Sequence, residues 1–338
     1  MNIGVIGLGF MGATHLRALE KVAGARVAAI ASSDEKKLSG DLSGAGGNLG
    51  ATFDRFDFSN VKKYKRWEEL LTDREVEAVD ITLPTALHAL AVRKSLEAGK
   101  HVLVEKPIAL DGDTADELIA MARERGKILM AAQVLRFFPM YRQMADLVKG
   151  GGLGKIRSAT FRRRCAAPGW APWMKDKASS GGGVFDLLIH DVDFVLHLFG
   201  APEAVSATGR ESLAESVDTI NAQLHYADVE SVTVMGGWHH GAFPFSMEYT
   251  VVGDAGTVEY SSLSGGAPVV YRAGAAGEAM QLAEVDGFEE ELRYFVDCAS
   301  RGVEPAMCPP EESALAVRVT RRMSDARQVK GEKVSCRV

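Results

Sequence analysis

Ile3-Gly4-Val5-Ile6-Gly7-Leu8-Gly9-Phe10-Met11-Gly12 stands almost at the start of the chain. Its apolar first half reads as a buried strand that runs straight into a GxGxxG spacing, and an amphipathic segment follows over residues 12–22. Strand, glycines, then helix is the context in which that spacing marks a dinucleotide-binding turn. Gly7 permits the tight turn and Gly9 lets the backbone approach a pyrophosphate. Gly12 allows close strand–helix packing, with the anion at the helix N-terminus beside Phe10 and Met11.

Outward from this turn the rhythm repeats. Short apolar runs at 27–31, 78–83, 101–104 and 128–132 alternate with helical patterns at 67–73, 85–98 and 113–125. This alternation predicts right-handed βαβ crossovers and a parallel, doubly wound α/β sheet over residues 1–132. Gly99 and Gly126 are placed as helix C-caps, and Thr114 with Glu117 has capping-box spacing. Residues 39–50, rich in glycine and serine, read as a mobile surface loop, and the basic run 62–66 as a solvated helix approach.

The choice of nucleotide rests on the end of the second strand. About twenty residues beyond Gly12, where an acid would hold the ribose 2′-hydroxyl of NAD, stand Ser32 and Ser33, followed by Asp34, Lys36 and Lys37. Hydroxyl donors with nearby cations suit a 2′-phosphate, which a carboxylate would repel. NADP is favoured, and Asp34 keeps NAD open.

Ligands of open parallel sheets sit at the carboxyl ends of the strands. The run 101–104 delivers Glu105, Lys106 and Pro107 there, and Pro107 holds Lys106 on a stiff turn. Pro84 ends the run at 78–83 and shapes the nicotinamide side of the crevice. His88 follows one turn later and reads equally as a helix-surface histidine. Gln133, after the last run, brings an amide to the same rim, within reach of a cofactor amide or a substrate hydroxyl.

Beyond Gly150-Gly151-Gly152 the pattern changes to long β-like runs at 156–165, 203–209, 217–226, 229–239, 245–252 and 256–260. They predict an α+β domain over residues 133–338 with a large, open-faced, mainly antiparallel sheet. Too few helices remain to cover both faces. One face is therefore expected to pack against another subunit, as a homodimer or homotetramer.

Residues 184–199 form one apolar helical run, in which Asp186, His190, Asp193 and His197 fall along a single stripe. A carboxylate and an imidazole one turn apart on such a helix are costly to bury unless they pair or act. Asp186 and His190 are the candidates for action, Asp193 and His197 for helix anchoring. The preceding loop carries Trp170 and Trp173, placed either to stack on a sugar ring or to pack in a core or interface. Of Arg162, Arg163 and Arg164, strand alternation sends Arg163 to the opposite face from the other two, and Arg164 is kept as a substrate contact. Trp238-His239-His240 reads as strand packing rather than a metal site.

Composition agrees with a soluble enzyme. The 338 residues are 46% hydrophobic with a net charge of −6, which speaks against nucleic acid as a partner. No apolar run reaches the roughly eighteen residues a membrane span needs. Four scattered cysteines suggest neither zinc nor disulfides, and with no signal peptide read at the N-terminus a reducing cytoplasm is expected.

Taken together, Gly7-Leu8-Gly9-Phe10-Met11-Gly12, Pro84 with His88, Glu105-Lys106-Pro107, and Asp186 with His190 after a glycine triplet resemble the Gfo/Idh/MocA family, the glucose-fructose oxidoreductase and inositol dehydrogenase group. The likeness extends through Gly253-Asp254 to a closing helix at 289–301. It implies a Rossmann domain, a sheet domain, a nicotinamide cofactor, and a Lys106, Asp186 and His190 site acting on a sugar, polyol or cyclitol. On chemical grounds His190 is the base for the hydroxyl proton, Asp186 its partner, and Lys106 the stabiliser of the developing alkoxide. The resemblance also allows an NAD-dependent glycoside hydrolase working by transient oxidation, or a non-catalytic nucleotide-binding regulator.

Overall fold

The computed structural model describes residues 1–47, 53 and 55–336. The end of the glycine-rich loop expected at 39–50 lies outside the described residues. The chain divides into two compact units, the first formed by Met1–Val134 and Val285–Ala314, the second by Leu135–Glu284 and the residues from Leu315 onward.

In the first unit, β1 (Asn2–Ile6), β2 (Arg26–Ala31), β3 (Lys62–Tyr64), β4 (Ala78–Ile81), β5 (His101–Glu105) and β6 (Leu129–Ala132) form one sheet in the order β3-β2-β1-β4-β5-β6. Every pairing is parallel. Helices α1 (Phe10–Leu19), α2 (Glu35–Leu38), α3 (Trp67–Leu71), α4 (His88–Glu97) and α5 (Gly112–Glu124) make the crossovers. Strand order reverses between β1 and β4, which opens a crevice beyond their carboxyl ends. Val102, Leu103 and Val104 are fully buried, as a strand covered on both faces requires.

Three local expectations are corrected. Lys62–Tyr64 is a strand, the sheet's edge, where Lys62 bridges Asp73 and Glu75; its charges hide it from a search for apolar runs but suit an exposed edge. Helix α5 is capped by Asp111, which accepts the Thr114 N–H at 2.8 Å, so Thr114 lies inside the helix. Residues 285–314 belong to the first unit rather than to the second domain. Their helix α9 (Gly287–Arg301) lies against α1 and buries Leu292, Phe295 and Val296.

The second unit contains α6 (Pro139–Lys149), β7 (Ile156–Ala166), α7 (Lys177–Ser180) and α8 (Gly183–Phe199). It continues with β8 (Ala204–Ser212), β9 (Val217–His225), β10 (Ser231–His239), β11 (Ser246–Gly253), β12 (Gly256–Ser261), β13 (Val269–Tyr271) and β14 (Glu278–Ala279). After α10 (Pro310–Gln328), whose first residues belong to the first unit, β15 (Val334–Ser335) completes a nine-stranded sheet in the order β14-β13-β12-β11-β7-β10-β9-β8-β15. The sheet is antiparallel except at its centre, where β7 and β10 run parallel. Helix α8 covers one face, packed on β7, β9 and β10. The opposite face carries Arg162, Arg164, Glu248, Gln223 and Thr233. Among the described residues no helix is long and apolar enough to cross a membrane.

Candidate functional site

The glycine turn meets the requirements of its motif one residue at a time. Gly7 sits at φ +99°, and a Cβ there would lie 2.8 Å from the Thr82 carbonyl oxygen. A Cβ on Gly12 would lie 2.1 Å from the Gly7 oxygen, so only glycine lets α1 start this close to β1. Thr82 Oγ1 donates to that same oxygen at 2.7 Å and ties the turn to β4. Gly9 is different. Among the described residues nothing lies within 4 Å of where its Cβ would be, and no side chain caps α1. An open backbone at an uncapped helix N-terminus is the environment a pyrophosphate requires.

At the end of β2, Ser32 donates its N–H to the Tyr64 oxygen at 3.1 Å, and its hydroxyl accepts the Asp34 N–H at 3.2 Å. Asp34 is occupied as the cap of α2, accepting from Lys36 N at 2.9 Å and Lys37 N at 3.4 Å. Ser33 is exposed and Lys37 half-buried.

Pro84, Lys106 and Gln133 stand after β4, β5 and β6, at the carboxyl edge that the sequence predicts. Lys106 is half-exposed, and its bond to Pro107 is cis. Gln133 is 1% exposed, yet neither its Nε2 nor its Oε1 has a hydrogen-bond partner among the described residues. Buried amides are normally satisfied. An unsatisfied one at this edge matches a carboxamide or hydroxyl ligand, and with the open Gly9 backbone it shows that the residues present fit a dinucleotide.

Two residues expected at the rim have partners within the protein. His88 is buried, with Nδ1 2.7 Å from the Pro107 oxygen and Nε2 2.8 Å from the Leu83 oxygen. The ring thus lies between the turns that carry Pro84 and Lys106, and in its neutral form it donates to one of the two carbonyls. Burial draws its pKa down, while the two carbonyls pull it back up. Glu105 is 7% exposed, and its carboxylate is likewise turned inward, where Oε2 accepts the Lys106 N–H at 3.0 Å.

Beneath the glycine turn lies a charged group that the sequence reading omits. His15 on α1 is fully buried, with Nδ1 3.1 and 3.0 Å from the two oxygens of Asp80 on β4. Its Nε2 is 3.3 Å from Glu105 Oε1, an ion-pair contact that falls short of a well-aligned hydrogen bond. Burial opposes the charge on His15, but Asp80 and Glu105 together raise its pKa well above the ordinary value. Burial would raise the pKa of Glu105, yet contact with His15 leaves it below the ordinary value. A signal was present: Asp80 interrupts the apolar strand Ala78-Val79-Asp80-Ile81, and a carboxylate there needs a buried partner.

In the second unit, Asp186 and His190 are half-buried one turn apart on α8. Their helix is held by two buried ion pairs. Asp193 receives Arg136 Nε and Nη2 at 2.8 and 2.7 Å, and Asp191 receives Arg163 Nε at 2.7 Å. His197 Nε2 lies 2.8 Å from Lys149 Nζ. Arg163 thus faces α8 and Arg164 the other side of the sheet. Arg164 reaches Glu248 Oε1 at 2.9 Å and Ser246 at 3.3 Å, so the structure does not bring it together with Asp186 and His190. Trp170 is exposed and Trp173 half-buried. Their loop is anchored by Met174, which packs on Cys165, Leu187 and Trp238. His239 stacks on Phe243 at 4.5 Å, across the sheet from Trp238.

Fold and glycine turn define a protein of the NAD(P)-binding Rossmann class. Its family model, described as an oxidoreductase family with an NAD-binding Rossmann fold, matches residues 1–133, and the GFO/IDH/MocA C-terminal domain matches 141–259. The chain belongs to the GFO/IDH/MocA family. It is 35% identical over 196 residues to mouse trans-1,2-dihydrobenzene-1,2-diol dehydrogenase, covering 56% of this chain and 55% of the relative. It is 29% identical over 183 residues to the scyllo-inositol 2-dehydrogenase (NADP(+)) IolW of Bacillus subtilis, covering 53% and 51%. In these two matches the chain spans about half the length of the relative. A levoglucosan dehydrogenase solved with NADH and levoglucosan shares the fold, with a TM-score of 0.85 at 18% identity over 100% of both chains.

Proposed function

We propose that the chain is an NADP- or NAD-dependent dehydrogenase or reductase. It interconverts a secondary alcohol and a ketone on a sugar, polyol or cyclitol. The observation that carries this reading is the carboxyl edge of the first sheet. There an uncapped helix start follows β1, Lys106 follows β5, and the buried amide of Gln133, unsatisfied among the described residues, follows β6. Gly7, Gly9, Phe10, Met11, Gly12, Ser32, Ser33, Lys37, Pro84 and Gln133 hold the nucleotide, and Trp170 and Trp173 contribute to the substrate side.

The bound nicotinamide supplies the acceptor or donor of hydride. The chain's own residues handle the proton and the charge. His190 takes the hydroxyl proton in oxidation and returns it in reduction, Asp186 orients the imidazole, and Lys106 stabilises the oxygen as negative charge develops. NADP is preferred because Asp34 gives its Oδ1 to capping α2, and Ser32 and Ser33 with Lys37 stand where NAD would ask for a carboxylate. IolW, an NADP(+) enzyme by its name, is consistent with that preference. The polar face of the nine-stranded sheet serves assembly as a homodimer or homotetramer, and four cysteines that form no disulfide among the described residues suit a reducing cytoplasm.

A melting-temperature screen with NAD, NADP and a panel of sugars, polyols and aryl glycosides, followed by absorbance assays at the nicotinamide band, tests the reading. NADP should raise the melting temperature more than NAD, and at least one polyol should give net nicotinamide reduction. Release of sugar without net redox, or nucleotide binding with no turnover across the panel, would refute it.

A further inference from the structure

His15 takes no part in the chemistry above, yet it sits between the floor of the crevice and the residue placed at its mouth. It projects from the buried side of α1, whose Gly12, Ala13, Leu16 and Leu19 are buried with it. Asp80 of β4 holds Nδ1, Glu105 of β5 faces Nε2 at 3.3 Å, and the uncharged Phe288 ring of α9 closes another side at 6.2 Å. Glu105 uses one oxygen toward His15 and the other to accept the Lys106 N–H at 3.0 Å. A neutral imidazole has one N–H. With that proton given to Asp80, Nε2 would turn a lone pair toward a carboxylate, so both neighbours are served only by the doubly protonated ring.

We propose that His15 is a positioning residue for Lys106. As an imidazolium fixed on Asp80 it holds the Glu105 carboxylate, and through that carboxylate it holds the backbone from which the Lys106 ammonium extends. The catalytic consequence rests on the reading of Lys106 above; the positional one does not. The charges facing the ring are those of Asp80 and Glu105, one from each of two adjacent strands, and the titration of His15 supports the arrangement because both raise its pKa against the effect of burial. Remove the central cation and two carboxylates are left enclosed without it, which frees Glu105 to turn away from the Lys106 amide.

Two measurements on the full chain test this. In the first, nitrogen-15 spectra of the wild-type histidine rings are followed from pH 6 to 9; both His15 nitrogens should stay protonated above pH 7. In the second, backbone amide exchange is compared between wild type and His15→Gln, which keeps one donor and loses the charge. The Lys106 amide should exchange at least tenfold faster in the variant, while the Val5 and Ile30 amides keep their rates. A neutral His15 ring at pH 7, or an unchanged Lys106 amide, overturns the proposal. If His15→Gln does not fold, the wild-type ring titration still decides. Turnover of scyllo-inositol with NADP+ then separates the two readings by a double-mutant cycle. If His15 acts through Lys106, His15→Gln lowers kcat at least tenfold with KM for NADP+ within threefold, and adds no further loss to Lys106→Met. A Lys106 amide that responds to His15→Gln, with turnover indifferent to Lys106→Met, keeps the positioning role and removes the catalytic one.

Discussion

Asp218 Oδ2 on β9 accepts the backbone N–H of Val184 at 3.0 Å, so the helix that carries Asp186 and His190 is capped from a strand 34 residues away. Gly182, at the N-cap position, has no side chain for the task. The other Asp218 oxygen receives Arg327 Nη1 at 2.6 Å, with the carboxylate 1% exposed. Asp218→Ala removes a cap and one of the two carboxylates held by Arg327, which keeps Glu211, and should cost about 2 kcal/mol in urea unfolding. Asp218→Asn retains the acceptor for Val184 and should cost visibly less. Equal losses in the two variants would show that the cap contributes nothing.

The glycine turn separates folding from binding. Gly12→Ala forces a methyl to within 2.1 Å of the Gly7 oxygen and should destabilise the apo protein by about 2 kcal/mol or more. Gly9→Ala meets no atom of the described residues, so its apo stability should change by less than about 0.5 kcal/mol. Its methyl instead occupies the space a pyrophosphate needs. NADP affinity should fall at least tenfold. Apo melting temperatures and nucleotide titrations check both halves, and a Gly9→Ala chain with wild-type affinity would mean that the pyrophosphate does not approach there.

How much of this was readable beforehand depended on whether a residue's partner is local. The five apolar strands of the first sheet and the helix that begins at Gly183 are legible because burial on both faces, or on most of a helix, leaves continuous apolar runs. Lys62–Tyr64 is not legible, because an edge strand needs no apolar alternation. The parallel pairing of β7 with β10 depends on which strands meet at the centre of the sheet, and no local pattern encodes that. At the site, Lys106 and the glycines stand out by motif, whereas His15, Thr82 and Asp218 act on partners 34 to 109 residues away. The partners of His88 and Glu105 are not legible either. Their polar atoms bind the protein's own backbone and His15.

Lys106→Met and His190→Ala address the chemistry directly. Removing a general base lowers turnover by roughly 10²–10⁴-fold, and loss of an oxyanion-stabilising cation is of similar size. Each variant should therefore lose at least about a hundredfold in kcat while its Kd for NADP stays within a few-fold of wild type. Single-turnover absorbance and nucleotide titration give the two numbers. Parallel losses in both would assign these residues to binding or folding.

Ser32→Asp tests the nucleotide preference. A carboxylate at that place repels a 2′-phosphate and accepts hydrogen bonds from a 2′-hydroxyl, so the ratio of kcat/KM for NADP over NAD should drop at least tenfold, about 1.4 kcal/mol. Asp34 stays on its helix cap throughout. An unchanged ratio would place the discriminating contact elsewhere, with Lys37 the next residue to replace.

The buried trio sets a pH dependence whose sign can be worked out. His15 is held well above its ordinary pKa in the folded chain, against the effect of burial, by Asp80 and Glu105. Below about pH 6.5 folded and unfolded chains both carry the proton, and the stabilisation is complete. As pH rises beyond that value the unfolded chain releases its proton first, so stability is lost progressively until the folded ring also titrates. Glu105 behaves in the opposite sense: its depressed pKa contributes stability above about pH 4.3, lost as pH falls through the folded value. His88, whose pKa burial depresses, titrates on the acid side and does not enter the alkaline window. Urea unfolding between pH 7 and 9 should thus give a wild-type slope steeper than that of His15→Gln by up to about 1.4 kcal/mol per pH unit, the limit for one proton. Taking the difference between the two chains cancels the cysteines that titrate in the same range. Coincident slopes would mean that His15 carries no proton to lose, and the imidazolium between Asp80 and Glu105 would have to be abandoned.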